Sequence, residues 1–286
     1  MQSQLVFQEK NEIERLRVQN RLLSCYEAPV FESLFSEGRS LTVLDVGCND
    51  GEKTFLRFSL PAVAKVIGLE YSDELVRKAE ESYGNERFSF YPLDVEAPDF
   101  THRLEEIMRA QGLDGFDVIY LSFVLMHLAD ADRLLRNLKP FLKEDGQLLI
   151  IEANDGASVL SNDENGLLGE FLDILKADRY SGNREVGAHM GETLSACGYD
   201  GIRVWSYAIA AGEGEMEKKQ AIFTTFFSYL PEDVELLLDA APENEEYRAW
   251  AAWLDRRYDT LRQLILQEKS YISMGIRILT CTKGEA

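Results

Sequence analysis

The stretch Val43-Leu44-Asp45-Val46-Gly47-Cys48-Asn49-Asp50-Gly51 carries the strongest chemical signal in the chain. An apolar run ends in an acid, and a glycine-bearing turn follows. Gly47 and Gly51 permit backbone conformations, and a close ligand approach, that a Cβ would block. Dinucleotide sites use such a turn to hold pyrophosphate against a helix N-terminus. Here Asp45 and Asp50 would repel pyrophosphate, so the turn is better matched to a cationic ligand. Glu70 ends the next apolar run, in Val66-Ile67-Gly68-Leu69-Glu70-Tyr71-Ser72. It can accept both hydroxyls of a ribose, as an acid does in NAD sites too, so Glu70 alone does not choose between ligands. Asp94 ends a third run, in Tyr91-Pro92-Leu93-Asp94-Val95, and can accept a hydrogen bond from an adenine amino group. Each acid alone reads equally as a solvated residue at a strand end. Three at the ends of three consecutive strands form a pattern.

That pattern requires strands to carry it. Leu41 to Val46 is a compact apolar run, read as a buried strand, with a helix from Lys53 to Ser59 behind it. Further strands are expected at Lys65 to Glu70, Arg87 to Leu93, Phe116 to Ser122 and Gln147 to Glu152, with helices at Ser72 to Tyr83 and Ala131 to Leu142. Strands alternating with helices imply an α/β fold with a parallel sheet covered on both faces. Right-handed crossovers put the carboxyl ends of those strands on one side, where ligands of such sheets bind. Before the first strand, Gln4 to Phe35 reads as helical, broken in two at Ala28-Pro29, and either lids the sheet edge or packs on the core. After the fifth strand, Gly166 to Lys176 and Glu185 to Cys197 read as helices, and Ile202 to Ile209 as a strand. Glu215 to Glu268 is almost wholly helical, and Ile276 to Thr282 is the last strand.

With these residues in this order, the sequence resembles the class I S-adenosylmethionine (SAM) dependent methyltransferases over about Phe35 to Asn154. The resemblance implies a Rossmann-like, doubly wound, seven-stranded and mostly parallel sheet, with an N-terminal helical segment and a helical insertion before the last strand. It also implies SAM as cofactor, released as S-adenosylhomocysteine. Asp45, Gly47 and Gly51 then match the first motif, at the amino acid part of SAM. Glu70 matches the ribose acid, Tyr71 packs on adenine, and Asp94 and Val95 match the adenine-contacting pair. Leu121 and Ser122, in Leu121-Ser122-Phe123, match the strand end under the methionine portion. His127 matches a frequent histidine just after it. The family's usual middle glycine is Asn49 here, and asparagine is among the residues that best tolerate a left-handed backbone.

Methyl transfer from a sulfonium is an in-line displacement, so a base matters only where the acceptor must lose a proton. His127 is the first candidate for that role, or else packs against SAM or the core. Glu152, Asn154 and Asp155 follow the fifth strand, where they could bind an acceptor or simply cap a turn. Arg184, in Tyr180-Ser181-Gly182-Asn183-Arg184-Glu185, could meet a substrate carboxylate or belong to a plain capped loop. The aromatics of the helical stretch, Phe223, Phe226, Phe227, Tyr229, Trp250 and Trp253, could form a core, line an acceptor pocket or make a homodimer interface.

Composition narrows the partners. The 286 residues carry 50 acidic and 30 basic side chains, a net charge of −20, which disfavours general nucleic-acid binding. The four cysteines Cys25, Cys48, Cys197 and Cys281 are scattered, with no pairing at metal-ligand spacing, and no metal is expected. They fit a reducing cytoplasm. No apolar run is long enough for a membrane span, and the N-terminus does not read as a signal peptide. The expected organisation is a helical lid at 1–37, a SAM-binding core at 38–214, a helical cap at 215–269 and a final core strand at 270–286. The expected function is N- or O-methylation of a small-molecule acceptor without a metal. The alternatives are a protein or peptide methyltransferase, a non-catalytic SAM-binding protein, and an NAD-linked oxidoreductase.

Overall fold

The computed structural model describes residues 10–35, 38, 40–178 and 180–284. The elements run α1 (Lys10–Leu34), β1 (Leu41–Val46), α2 (Glu52–Phe58), β2 (Val63–Glu70), α3 (Asp73–Tyr83), β3 (Phe88–Pro92), α4 (Phe100–Ala110) and β4 (Phe116–Ser122). They continue with α5 (Ala131–Leu138), β5 (Leu142–Ala153), β6 (Val159–Leu160), α6 (Leu167–Ala177), α7 (Val186–Ala196) and β7 (Asp200–Ala211). Then come α8 (Met216–Phe226), α9 (Leu230–Ala240), α10 (Glu245–Trp253), α11 (Asp259–Ile265) and β8 (Ile272–Thr282). Among the described residues no helix is long and apolar enough to cross a membrane.

The strand order is β3-β2-β1-β4-β5-β8-β6, with β7 also paired to β8. Pairs β1–β2, β1–β4, β2–β3 and β4–β5 are parallel, and β6–β8 is antiparallel. The seven expected strands are present. The eighth, β6, has two residues, too few to show a periodicity. Chain order reverses between β1 and its neighbour β4, which opens a crevice beyond their carboxyl ends.

Two compact units divide the chain. One comprises Glu27–Glu152, Val186–Ser206 and Arg277–Ala286, and the other Met1–Tyr26, Ala153–Glu185 and Tyr207–Ile276. In the first, β1, β2 and β4 read as apolar runs because both faces are covered. Leu44, Val46, Ile67, Leu69, Ile119 and Leu121 are all fully buried in its core. Helix α4, unread in the sequence, packs there through Phe100, Leu104 and Met108 at a spacing of four.

Two expectations are corrected here. Helix α1 is not broken at Ala28-Pro29, because Pro29 lies inside it. Proline removes one helical hydrogen bond, at about 3 kcal/mol. Val30, Phe31 and Leu34, buried just beyond it, offset that at roughly 1.5–3 kcal/mol each. Helix α5 stops at Leu138, where Pro140 forces a 3-10 turn over Lys139–Phe141, and β5 starts at Leu142 instead of Gln147.

The second unit is helical and holds buried charge. Arg15 donates to both oxygens of Glu12 at 2.6 Å, to Gln19 Oε1 at 3.0 Å and to the Thr225 carbonyl at 2.8 Å. Lys219, fully buried, donates to the Gln267 and Glu268 carbonyls at 2.6 and 2.9 Å, where α11 has just ended. Asp178 accepts from the amides of Tyr180 and Ser181 and from the Ser181 hydroxyl. Burial, and the Asp178 carboxylate to which it is hydrogen-bonded, hold the Asp233 carboxyl well above the usual range. The rings of Phe171, Phe223, Phe227, Trp253 and Tyr258 form one cluster, with centroids 4.8–6.4 Å apart.

Candidate cofactor site

The first unit builds its site where β1 runs into α2. Three residues of the turn are left-handed: Gly47 at φ 76°, Asn49 at φ 51° and Gly51 at φ 76°. A Cβ on Gly47 would stand 2.6 Å from Val124 Cγ2, and one on Gly51 would stand 2.9 Å from the Ala79 Cβ. Glycine is therefore required at both places by space as well as by φ. Asn49 meets the left-handed requirement with help from its side chain, whose Oδ1 accepts from the Asp50 amide at 2.7 Å. The amides of Gly47 and Cys48 both reach the Leu69 carbonyl, at 2.8 and 3.0 Å, which ties the turn to the end of β2.

Glu70 completes that tie. Its Oε2 accepts from the Asn49 amide and its Oε1 from the Ser72 amide, both at 3.1 Å. Burial raises its acid, and those amides, with that of Tyr71, pull it back. Each carboxylate oxygen keeps a second lone pair for a ligand hydroxyl.

Asp45 is 3% exposed and accepts from Thr54 Oγ1 at 2.6 Å. Burial pushes its acid up to about 7, against the Thr54 hydrogen bond and the Lys53 charge, with Glu70 and Glu27 adding to the rise. Tyr71 is 43% exposed beside Glu70. Asp94, half-buried, accepts from the Glu96 amide at 2.8 Å in its own turn, while Val95 packs against the core. Leu121 is buried, and Ser122 Oγ accepts from Lys53 Nζ at 2.7 Å.

The substrate-side residues separate. Glu152 is buried, and its Oε1 accepts from the amides of Val124 and Leu125 at 3.1 and 2.7 Å. It thereby braces the 3-10 turn Leu125–His127, on which the His127 side chain is exposed. Asn154 and Arg184 belong to the second unit. There the Asn154 amide meets the Gly275 carbonyl at 3.0 Å. Arg184 forms a two-pronged pair with Asp155 and donates to the Tyr229 hydroxyl at 2.9 Å.

Three participants have no reading in the sequence: Glu27, Lys53 and Thr54. Thr54 follows Asp45 by nine residues, the length of a strand end, a turn and one helical step, so its spacing was a usable signal. Glu27 meets Lys53 and Arg57 only through the fold.

The turn fits an adenosyl-amino acid with a cationic centre: bare backbone at Gly47 and Gly51, a buried acid at Asp45, and a carboxylate at Glu70 with lone pairs to spare. Among the described residues no group of three His, Cys, Asp or Glu side chains is placed to hold a metal ion.

This strand order and glycine turn define a Rossmann-like methyltransferase fold. The chain belongs to the methyltransferase-domain family, whose model matches residues 37–227, and with it to the class I SAM-dependent methyltransferases. It is 32% identical over 111 residues to a juvenile hormone acid O-methyltransferase of Bombyx mori, a match over 38% of this chain and 37% of that protein. It is 29% identical over 134 residues to the uncharacterized methyltransferase YcgJ of Bacillus subtilis, covering 42% of this chain and 49% of that one. The matches thus span less than half of either relative. The YcgJ crystal structure has a similar fold, with a TM-score of 0.53 at 19% identity, over 91% of this chain and 98% of that one. A Haemonchus contortus phosphoethanolamine N-methyltransferase, in complex with S-adenosylhomocysteine, aligns with a TM-score of 0.52 at 15% identity, over 93% of this chain and 53% of that one.

Proposed function

We propose that the chain transfers a methyl group from SAM to nitrogen or oxygen of a small-molecule acceptor. The observation that carries the cofactor half is the turn of three left-handed residues held by Glu70. Bound SAM supplies an electrophilic methyl on a sulfonium. Gly47 and Gly51 let the ligand approach the backbone, and Asp45 faces the amino acid part. Glu70 receives the ribose hydroxyls, Tyr71 covers adenine, and Asp94 with Val95 receives its edge. Leu121 and Ser122 floor the methionine portion.

No covalent nucleophile is required of the protein. Holding the acceptor in line with the methyl is worth roughly 7–11 kcal/mol by removing translational and rotational freedom. Where the acceptor must lose a proton, His127 is assigned to take it, because it follows the β4 end by five residues and is exposed to an incoming molecule. Glu152 then acts by bracing the turn that carries His127. A small-molecule acceptor is supported by the curated relative named for an acid O-methyltransferase.

Transfer of isotope-labelled methyl from SAM into a cell extract, separated into small-molecule and protein fractions, tests this. Label in the small-molecule fraction is the expected result. Label in protein alone refutes the acceptor class, and SAM binding without any label refutes turnover.

A further inference from the structure

The strand ends and the turn at this site are rich in acid: Asp45, Asp50, Glu70 and Asp94. The cofactor's amino acid portion is a zwitterion. Its ammonium suits acids, and its carboxylate suits a cation, which the motif residues do not include. Lys53, on α2, provides one. Its Nζ donates to Ser122 Oγ at 2.7 Å, at the carboxyl end of β4, and lies 5.5 Å from the Tyr120 ring centroid. Its side chain is 16% exposed, sheltered yet reachable.

Glu27, 1% exposed, is paired by Arg57 Nε and also faces Lys53 Nζ at 3.2 Å. One buried carboxylate therefore answers two cations. Glu27 Oε1 makes no hydrogen bond, so its contact with Lys53 is one of charge without alignment. Asp45 also feels Lys53, and burial keeps it partly protonated near neutral pH. An ammonium carries three N–H donors, and Ser122 takes one of them. A positive charge with donors to spare thus stands at the end of β4, beside the strand end assigned to the methionine portion.

We propose that Lys53 receives the carboxylate of the cofactor's amino acid portion, with Ser122 and Glu27 holding its ammonium in place. This rests on the reading of SAM as the cofactor. The rival is that Lys53 is only a tether between α2, Glu27 and β4.

Calorimetry with SAM and with decarboxylated SAM, which keeps the ammonium and lacks only the carboxylate, separates the two. The intact protein should prefer SAM by about 10–100-fold, the worth of one charge-assisted hydrogen bond. Lys53→Met should abolish most of that preference, weakening SAM while changing decarboxylated SAM by less than about threefold. Lys53→Arg should keep part of the preference, and it serves as the readout should Lys53→Met fail to fold. Equal weakening of both ligands by Lys53→Met, or a preference that survives it, overturns the proposal, as does loss of the whole preference in a folded Lys53→Arg. An intact protein that binds neither ligand overturns the cofactor reading itself, a different result from an intact protein that binds both alike.

Discussion

Replacing Asp45 by Asn separates two things its carboxylate does. The residue is 3% exposed, and its acid is pushed from 3.8 up to about 7, chiefly by burial. Between those two values the folded chain holds a proton that the unfolded chain has released. The unfolded state binds fewer protons, so stability falls as pH rises through that window, and the loss is complete above it. About three pH units at roughly 1.4 kcal/mol each put the cost of the ionised form near pH 8 on the order of 4 kcal/mol. Asparagine has nearly the same shape, cannot ionise, and keeps an oxygen for the Thr54 hydroxyl. Asp45→Asn should therefore be more stable than the parent by about 2–4 kcal/mol at pH 8, with the gap closing toward pH 5. Urea unfolding followed by circular dichroism, at pH values from 5 to 8.5, measures it. The same substitution should weaken SAM binding by about 1.5–3 kcal/mol, because the site loses its buried negative charge. A stability gap that does not change with pH would refute the ionisation argument, whatever happens to binding.

Three further outcomes can be checked with purified protein. Gly47→Ala forces a left-handed alanine and a Cβ 2.6 Å from Val124 Cγ2. It should cost at least about 1–2 kcal/mol in urea unfolding, and an unchanged midpoint would contradict the turn geometry. Lys219→Met leaves the Gln267 and Glu268 carbonyls without their donor and should cost about 2–3 kcal/mol. A melting temperature within a degree of the parent would show that the buried ammonium contributes nothing. Asp233→Asn removes a carboxyl that burial and Asp178 hold far above its unfolded value. The parent should lose stability as pH rises above about 4, whereas the variant should hold it. Parallel melting curves from pH 5 to 9 would rule this out.

What could be read from the sequence was whatever is local. The runs Leu41 to Val46 and Phe116 to Ser122 are strands because β-branched and other apolar residues fill a surface buried on both faces. Asp45 and Glu70 fall at or next to the carboxyl ends of β1 and β2, where the chain leaves the apolar surface. The three left-handed positions were legible as Gly47, Asn49 and Gly51, the residue types that tolerate that backbone. Tertiary compensation was not legible. Pro29 stays inside α1 because Val30, Phe31 and Leu34 are buried beyond it, and no helix rule contains that burial. Strand β5 passes through Gly146, which reads locally as a turn. Helix α4 carries its apolar residues at a proper spacing, but the polar stretch around His102 obscured it. Lys53 and Glu27 lie 26 positions apart, and nothing in either neighbourhood points to the other. The roles of Glu152 and Arg184 depend likewise on partners, the amides of Val124 and Leu125 for one and Asp155 with Tyr229 for the other.

Glu70 grips the Asn49 and Ser72 amides through bonds internal to the protein. The ordering of the turn is thus completed during folding and does not recur at each encounter. Ligand entry should then be governed by diffusion and shedding of water, with no slow loop rearrangement in its time course. Discrimination among adenosyl ligands would be expressed in how long each stays, not in how quickly each arrives.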